Sequence, residues 1–351
     1  MRAVRVAEDR RLVAFELVVD GPGLGQALLD VAYCGICGSD LHFREVPELF
    51  PPGTVPGHEF SARIAALGAG VSGWTVGDRV CVLPFAQCGQ CEICLAGEEQ
   101  VCPQAVSRGV GLGTGRPGGY AERVVVDERM LFALPDSVDD RAGTLVEPLA
   151  VAIRAVDLAE LDEQDPALVV GAGPIGLLTA LVLRHRGVRR TVVCSRNAAR
   201  AQRAAALGFE VVSPGEVNGK ALAPACVLDC AGSPSSAQLG IELLRPRGRL
   251  LLVGLSLAPL QLTAPPIVIK ELEIRGVLTY NRRQFQAAID LLALGAIPVE
   301  KLITDVVPLS QAEDAFRALS APGSDQLKIL LAPSASALLD RTAGHREAAR
   351  E

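Results

Sequence analysis

Over roughly the first 130 residues, apolar positions come in short runs broken by glycine and proline. The runs at 27–33, 61–67, 79–83 and 120–126 are rich in Val, Ala and Leu and predict short β-strands. No long helical period appears before Asp140. Residues 141–161 then form an Ala/Leu/Val-rich stretch that predicts helix. From Ala167 the pattern alternates. Strand-like 167–170, 191–194, 225–230 and 249–253 are interleaved with helical 176–186, 198–207 and 235–244. Such alternation predicts a parallel sheet with helices on both faces. Further helices are expected at 284–294 and 310–319, and a closing strand at 326–331. There is no internal repeat.

Composition narrows the class. A chain of 351 residues is long enough for two domains with sizeable cores. With 49% hydrophobic and 21% charged residues it is not a disordered polyelectrolyte. Its net charge of −6 argues against broad nucleic-acid binding, which needs a basic face. The N-terminus lacks an apolar signal core. The most apolar stretch, 168–183, is interrupted by glycines and is shorter than the roughly 20 residues of a membrane span. A cytoplasmic protein is expected, and there clustered cysteines point to metal before disulfides.

Two clusters carry the chemistry of a cofactor and a metal. Gly171-Ala172-Gly173-Pro174-Ile175-Gly176 follows a predicted strand and opens a predicted helix. In this G-x-G-x-x-G pattern the first glycine permits a tight turn and the second admits a pyrophosphate. The third lets helix and strand pack closely, and the helix N-terminus faces the anion. At the end of the next strand, where NAD-binding units carry a carboxylate, stands Ser195, followed by Arg196 and Arg200. Two guanidiniums and no carboxylate there favour a 2′-phosphate, hence NADP(H) over NAD(H); a solvated basic helix start is the alternative. Cys88, Cys91, Cys94 and Cys102 have the spacing C-x2-C-x2-C-x7-C, which suits a closed, structural Zn²⁺. The bacterial iron–sulfur run is the rival, but the x7 gap departs from it.

A second constellation holds Cys34, Cys37, Ser39, Asp40 and His42, followed by Gly57-His58-Glu59 and, far downstream, Val146-Glu147-Pro148. One Cys, one His and a carboxylate can form an open zinc site suited to catalysis.

With G-I-C-G-S-D-x-H at 35–42, G-H-E at 57–59, G-D-R-V at 77–80, the four-cysteine lobe, V-E-P-L-A-V-A at 146–152 and the glycine loop, the chain resembles the zinc-dependent medium-chain dehydrogenase/reductases. The likeness is strongest to their sorbitol, butanediol and threonine dehydrogenase-like branch and spans about residues 1–332. It implies an α/β architecture, a Rossmann doubly wound parallel sheet inserted into a GroES-like β-rich catalytic domain. The implied boundaries are 1–150 for the catalytic domain, with the zinc lobe at about 86–104, 151–282 for the Rossmann domain and 283–332 for the return. Residues 333–351 would be a loosely held extension. The resemblance further implies Cys37, His58 and Glu147 as catalytic-zinc ligands and Glu59 as an alternating ligand or neighbour. Two zinc ions per chain follow. The sequence departs from the family at Ser195, where NAD-type members carry Asp, and at Arg154, where many members have His.

The mechanism implied is hydride transfer between a carbinol carbon and the nicotinamide. Zinc would make the substrate hydroxyl acidic, and Ser39 would pass its proton outward towards the cofactor ribose or His42. The substrate is a small alcohol or ketone (secondary alcohol, polyol, cyclitol or amino alcohol). Candidate specificity positions include His42, Phe43, Phe50, Leu112 and Tyr280. A zinc-free quinone reductase of the same fold and a non-catalytic binding protein are the rival classes, and metal content discriminates the first. The apolar segment 266–278 is either an internal core strand or a subunit contact, so a homodimer or homotetramer is expected.

Overall fold

A computed structural model describes residues 1–113, 115–217 and 219–333. The expected extension, from residue 334 onward, lies outside the described residues. The chain forms two units. One comprises Met1–Glu147, Ile289–Pro322 and the chain from Lys328; the other comprises Pro148–Ala288 with Gly323–Leu327.

The first unit begins with an antiparallel pair, β1 (Arg2–Val6) and β2 (Leu12–Glu16). Strand β3 (Gln26–Gly35) follows, then helix α1 (Gly38–Phe43), β4 (Glu59–Leu67), β5 (Arg79–Val82), β6 (Arg123–Asp127) and β7 (Leu131–Ala133). Strand β3 alternates in and out along most of its length, as a half-buried strand should, but its last three residues are all buried. Strand β4 mirrors this, because its first four residues are buried. Antiparallel register sets Gly35 against Glu59, so the two fully buried ends lie side by side. Cys37 and His58 sit just beyond those ends.

The second unit starts within helix α2 (Val146–Ala159). Strand β8 (Ala167–Val170) then leads into α3 (Pro174–His185), and β9 (Thr191–Cys194) into α4 (Ala198–Ala206). Strands β10 (Glu210–Val212) and β11 (Cys226–Asp229) precede α5 (Pro234–Leu243). Strand β12 (Arg249–Leu252), α6 (Ala264–Ile269) and β13 (Glu273–Gly276) complete the sheet. All six strands are parallel, in the order β10-β9-β8-β11-β12-β13. Counted from β8 this is 3-2-1-4-5-6, the doubly wound order of dinucleotide-binding folds. The four central strands β9, β8, β11 and β12 are almost wholly buried, as strands covered on both faces must be. By contrast β13, the edge strand, is exposed at every position. The segment 266–278 is therefore divided: its start is helical and its middle forms this edge.

The chain then returns to the first unit with β14 (Ile303–Pro308), α7 (Ala312–Ser320) and β15 (Lys328–Ala332). The first unit's main sheet runs β14-β15-β3-β4-β5-β7, with β6 also paired to β3. Pairing of Leu330 with Gly35 brings Lys328, at the head of β15, level with the segment that carries Cys37. Among the described residues no helix is long and apolar enough to cross a membrane.

Candidate functional site

In the first unit, Cys37, His58 and Glu59 are brought together so that one ligand atom from each lies within 4.8 Å of the others. The backbone explains why. Cys37 opens α1 just past the buried end of β3, while His58 immediately precedes Glu59, the first residue of the adjacent strand β4. His58 is 5% exposed and Glu59 1%. Glu147, in the first turn of α2, is also buried, and its charge reaches His58. It is not part of the 4.8 Å trio.

The trio fits a cation. Glu59 Oε1 is a buried atom without a hydrogen-bond partner. Burial would strip a proton from His58, yet the charges of Asp40, Cys37 and Glu147 outweigh it and raise the imidazole well above its ordinary range. With one ligand atom from each within 4.8 Å of the others, the trio has the ligand types of zinc: Cys, His and carboxylate.

Two neighbours that sequence reasoning gave no role complete the surroundings. Asp40 is fully buried, and its Oδ1 lies 3.5 Å from His58 Nδ1. A carboxylate behind a ligating imidazole fixes its orientation and tautomer. Lys328, 1% exposed, places Nζ 2.5 Å from Glu59 Oε2 and 2.9 Å from the carbonyl of Ile36. Asp40 lay inside the quoted motif, whereas Lys328 stands far downstream in a strand-like run with no local signal.

Ser39 donates to Cys37 Sγ at 3.2 Å, so its hydroxyl lies beside the thiol of the ligand trio. His42, three residues on, shares that face of α1 and is exposed to solvent. Cys34 is fully buried, and burial pushes its thiol well above the ordinary range.

The second cysteine cluster is equally well formed. Sulfur–sulfur distances are 3.9 Å for Cys88–Cys94, 4.0 Å for Cys91–Cys102 and 3.7 Å for Cys88–Cys102. A tetrahedron with Zn–S of about 2.3 Å has edges of about 3.8 Å, so the four thiols fit one zinc ion. None of the ten cysteines, all among the described residues, is in a disulfide.

In the second unit the glycine loop joins β8 to α3. Gly171 has φ +104°, and a Cβ on Gly176 would meet the Gly171 carbonyl oxygen at 1.8 Å. Gly173 is the helix N-cap, with Pro174 in the first turn and Ile175 and Gly176 behind it. The loop lies at the β8–β11 switch point, where Gly171 approaches the backbone of Ala231. Beside it is a cavity of about 370 Å³ lined by Gly171, Cys194, Arg196, Ser233, Ser236 and Gln238, among others. Ser195 is buried, its hydroxyl bonded to the carbonyl of Asn197, whereas the Arg196 side chain is exposed. Arg200 turns the other way, towards the loop: one guanidinium nitrogen lies 3.8 Å from where a Gly173 Cβ would be. The structure thus separates the two arginines.

Comparison with known proteins agrees with both halves. Residues 23–136 match the alcohol dehydrogenase GroES-like domain, and residues 174–293 match the zinc-binding dehydrogenase domain. A sorbitol dehydrogenase of Halalkalibacterium halodurans is 33% identical over 324 residues, 89% of this chain and 93% of its own. A crystal structure of an Escherichia coli CFT073 alcohol dehydrogenase with NADH superposes with a TM-score of 0.87 at 30% identity, covering 95% of this chain and 99% of that one. A zinc-binding dehydrogenase of Sinorhizobium meliloti 1021 bound to NADP gives 0.85 at 28% identity, over 95% and 99% of the two chains. The chain therefore belongs to the zinc-binding alcohol dehydrogenase family, with the GroES-like and Rossmann-type halves that its sequence implied.

Proposed function

We propose that this dehydrogenase transfers hydride between NADP(H) and a secondary alcohol, polyol or cyclitol, or the corresponding ketone. In this proposal the catalytic zinc is held by Cys37, His58 and Glu59, with Glu147 as the alternative carboxylate, and a second zinc by Cys88, Cys91, Cys94 and Cys102. The observation that carries the proposal is the convergence of Cys37 with the buried His58 and Glu59, one Glu59 oxygen being unpartnered. Support for the alcohol class comes from the family and from the sorbitol dehydrogenase relative.

When bound, zinc supplies the Lewis acidity that makes a substrate hydroxyl acidic near neutral pH, and the nicotinamide supplies the redox couple. The chain's residues do the rest. Ser39, beside Cys37, takes up the substrate proton at its hydroxyl oxygen as it gives up its own. His42, exposed on the same helical face, hands that proton to solvent. Asp40 orients His58, and Lys328 offsets the buried charge of Glu59.

For the cofactor, we assign the pyrophosphate to Gly171–Gly176 and Arg200, and the adenosine 2′-phosphate to Arg196 beside Ser195. Support comes from the lining of the 370 Å³ cavity by Arg196 and from the serine in place of a carboxylate. The chain is further proposed to be cytoplasmic, which suits ten free thiols, and to form at least a homodimer through the exposed edge of β13. A panel of alcohols and ketones assayed with both cofactors tests the function. NADP(H)-dependent turnover of secondary alcohols is expected. A folded, zinc-loaded protein inert across the panel would favour a binding role.

A further inference from the structure

Tyr120 lies in the loop before β6 and belongs to neither ligand segment, yet it touches both. Its side chain is wholly buried, with the ring edge-on to Phe316 at 6.1 Å. The phenol donates to Asp40 Oδ2 at 2.8 Å, and the other Asp40 oxygen is the one that faces His58 Nδ1. Burial, then the charge of Asp40, push the phenol well above its ordinary range, so it remains a donor. The same residue presses on Gly57, immediately before His58. A Cβ there would lie 2.5 Å from Tyr120 Cδ1, and Gly57 has φ +103°. Backbone bonds lock the contact: Tyr120 N donates to the carbonyl of Pro56 at 3.0 Å and Gly119 N to that of Gly57 at 2.8 Å.

We propose that Tyr120 is a positioning residue of the metal centre, its phenol fixing the Asp40 carboxylate behind His58 while its ring braces the Gly57–His58 backbone. The inference rests on the proposed zinc site at Cys37 and His58. The physical reason is rotational freedom. Without the phenol, the Asp40 side chain keeps one hydrogen bond among the described residues, from Cys37 N to Oδ2 at 3.2 Å. A carboxylate free to turn no longer holds the imidazole in the ligating direction.

The test is a competition titration of the purified protein with a chromophoric zinc chelator, applied to wild type, Tyr120→Phe, Asp40→Asn and the double variant. Phenylalanine keeps the ring, so circular dichroism and melting should stay close to wild type. Tyr120→Phe is expected to weaken the catalytic zinc about 10-fold, the lower end of effects from residues behind a ligand. The four-cysteine zinc should be unaffected in the same titration. In the Asp40→Asn background, Tyr120→Phe should add less than about twofold, since its hydroxyl acts through Asp40. Unchanged zinc affinity in Tyr120→Phe, or a full additive loss in the double variant, overturns the proposal. If wild type instead binds zinc only at the four cysteines, the site assignment itself fails, and the Tyr120 role with it.

Discussion

Lys328 Nζ lies 2.5 Å from Glu59 Oε2, and both side chains are at most 2% exposed. Burial alone would discharge the amine, but Glu59 and then Cys37 keep it above its ordinary range. In metal-free protein, Lys328→Met should therefore strand a buried carboxylate and cost about 3–5 kcal/mol of unfolding free energy, measured by urea denaturation. Adding Glu59→Gln should recover most of that loss. A single variant within about 1 kcal/mol of wild type would show that the pair does not matter.

Thiol reactivity should separate the cysteines by environment. The backbone N–H groups of Gln90 and Cys91 draw the Cys88 thiol down to about 6, so in metal-stripped protein it is largely thiolate at pH 7. Burial pushes Cys226 and Cys230 up to about 12 and leaves them protonated. Alkylation of metal-stripped but folded protein, followed by peptide mass spectrometry, should label Cys88 well before Cys226 or Cys230. Zinc should protect Cys88. Labelling at equal rates would contradict the assignment.

Cofactor choice should follow position 195 and its neighbour. Arg196→Ala should lower kcat/KM for NADP(H) about 10- to 100-fold, the worth of one charge-assisted hydrogen bond, and change that for NAD(H) little. Ser195→Asp should shift preference towards NAD(H) further, by repelling the 2′-phosphate and bonding the ribose hydroxyl. Equal losses with both cofactors would move Arg196 away from the 2′-phosphate.

The edge strand makes a prediction about assembly. Every residue of β13 is exposed, and Val268 and Ile269 just before it are 72% and 80% exposed. Val268→Asp with Ile269→Asp should convert a dimer to a monomer in sedimentation velocity without loss of circular dichroism. A wild-type monomer at micromolar concentration would contradict the proposed pairing.

Much of this was legible in the chain. The β/α alternation after Ala167 gave the parallel sheet because its central strands β8, β9, β11 and β12 are apolar runs covered on both faces. Local motifs exposed Cys37, His58, Glu59 and the four-cysteine lobe, since their ligand atoms come from residues close in sequence or on adjacent strands. Other features were hidden. The helix expected over 141–161 is interrupted before Val146, which places Glu147 in a first turn. Strands β10 and β14 carry mixed burial and so lack the run of apolar residues that betrays a core strand. Lys328 reads as a polar strand residue, and only antiparallel pairing with β3 brings it to Glu59. Tyr120 reads as the start of a strand, though it packs from a loop. The two arginines after Ser195 look equivalent in sequence, but a helical turn sends Arg200 to the glycine loop and leaves Arg196 at the cavity.

The central claim, an open catalytic zinc at Cys37 and His58 beside a closed structural one, is tested most directly by metal analysis of purified, folded protein. Wild type, Cys37→Ser and Cys91→Ser would be compared, with alcohol oxidation measured on the same samples. Two zinc ions per chain are expected in wild type. Cys37→Ser should hold one and turn over no substrate, whereas Cys91→Ser should lose stability but keep activity in whatever fraction remains folded. A wild type that is active without zinc, or a Cys37→Ser variant with near-normal turnover, would contradict the account.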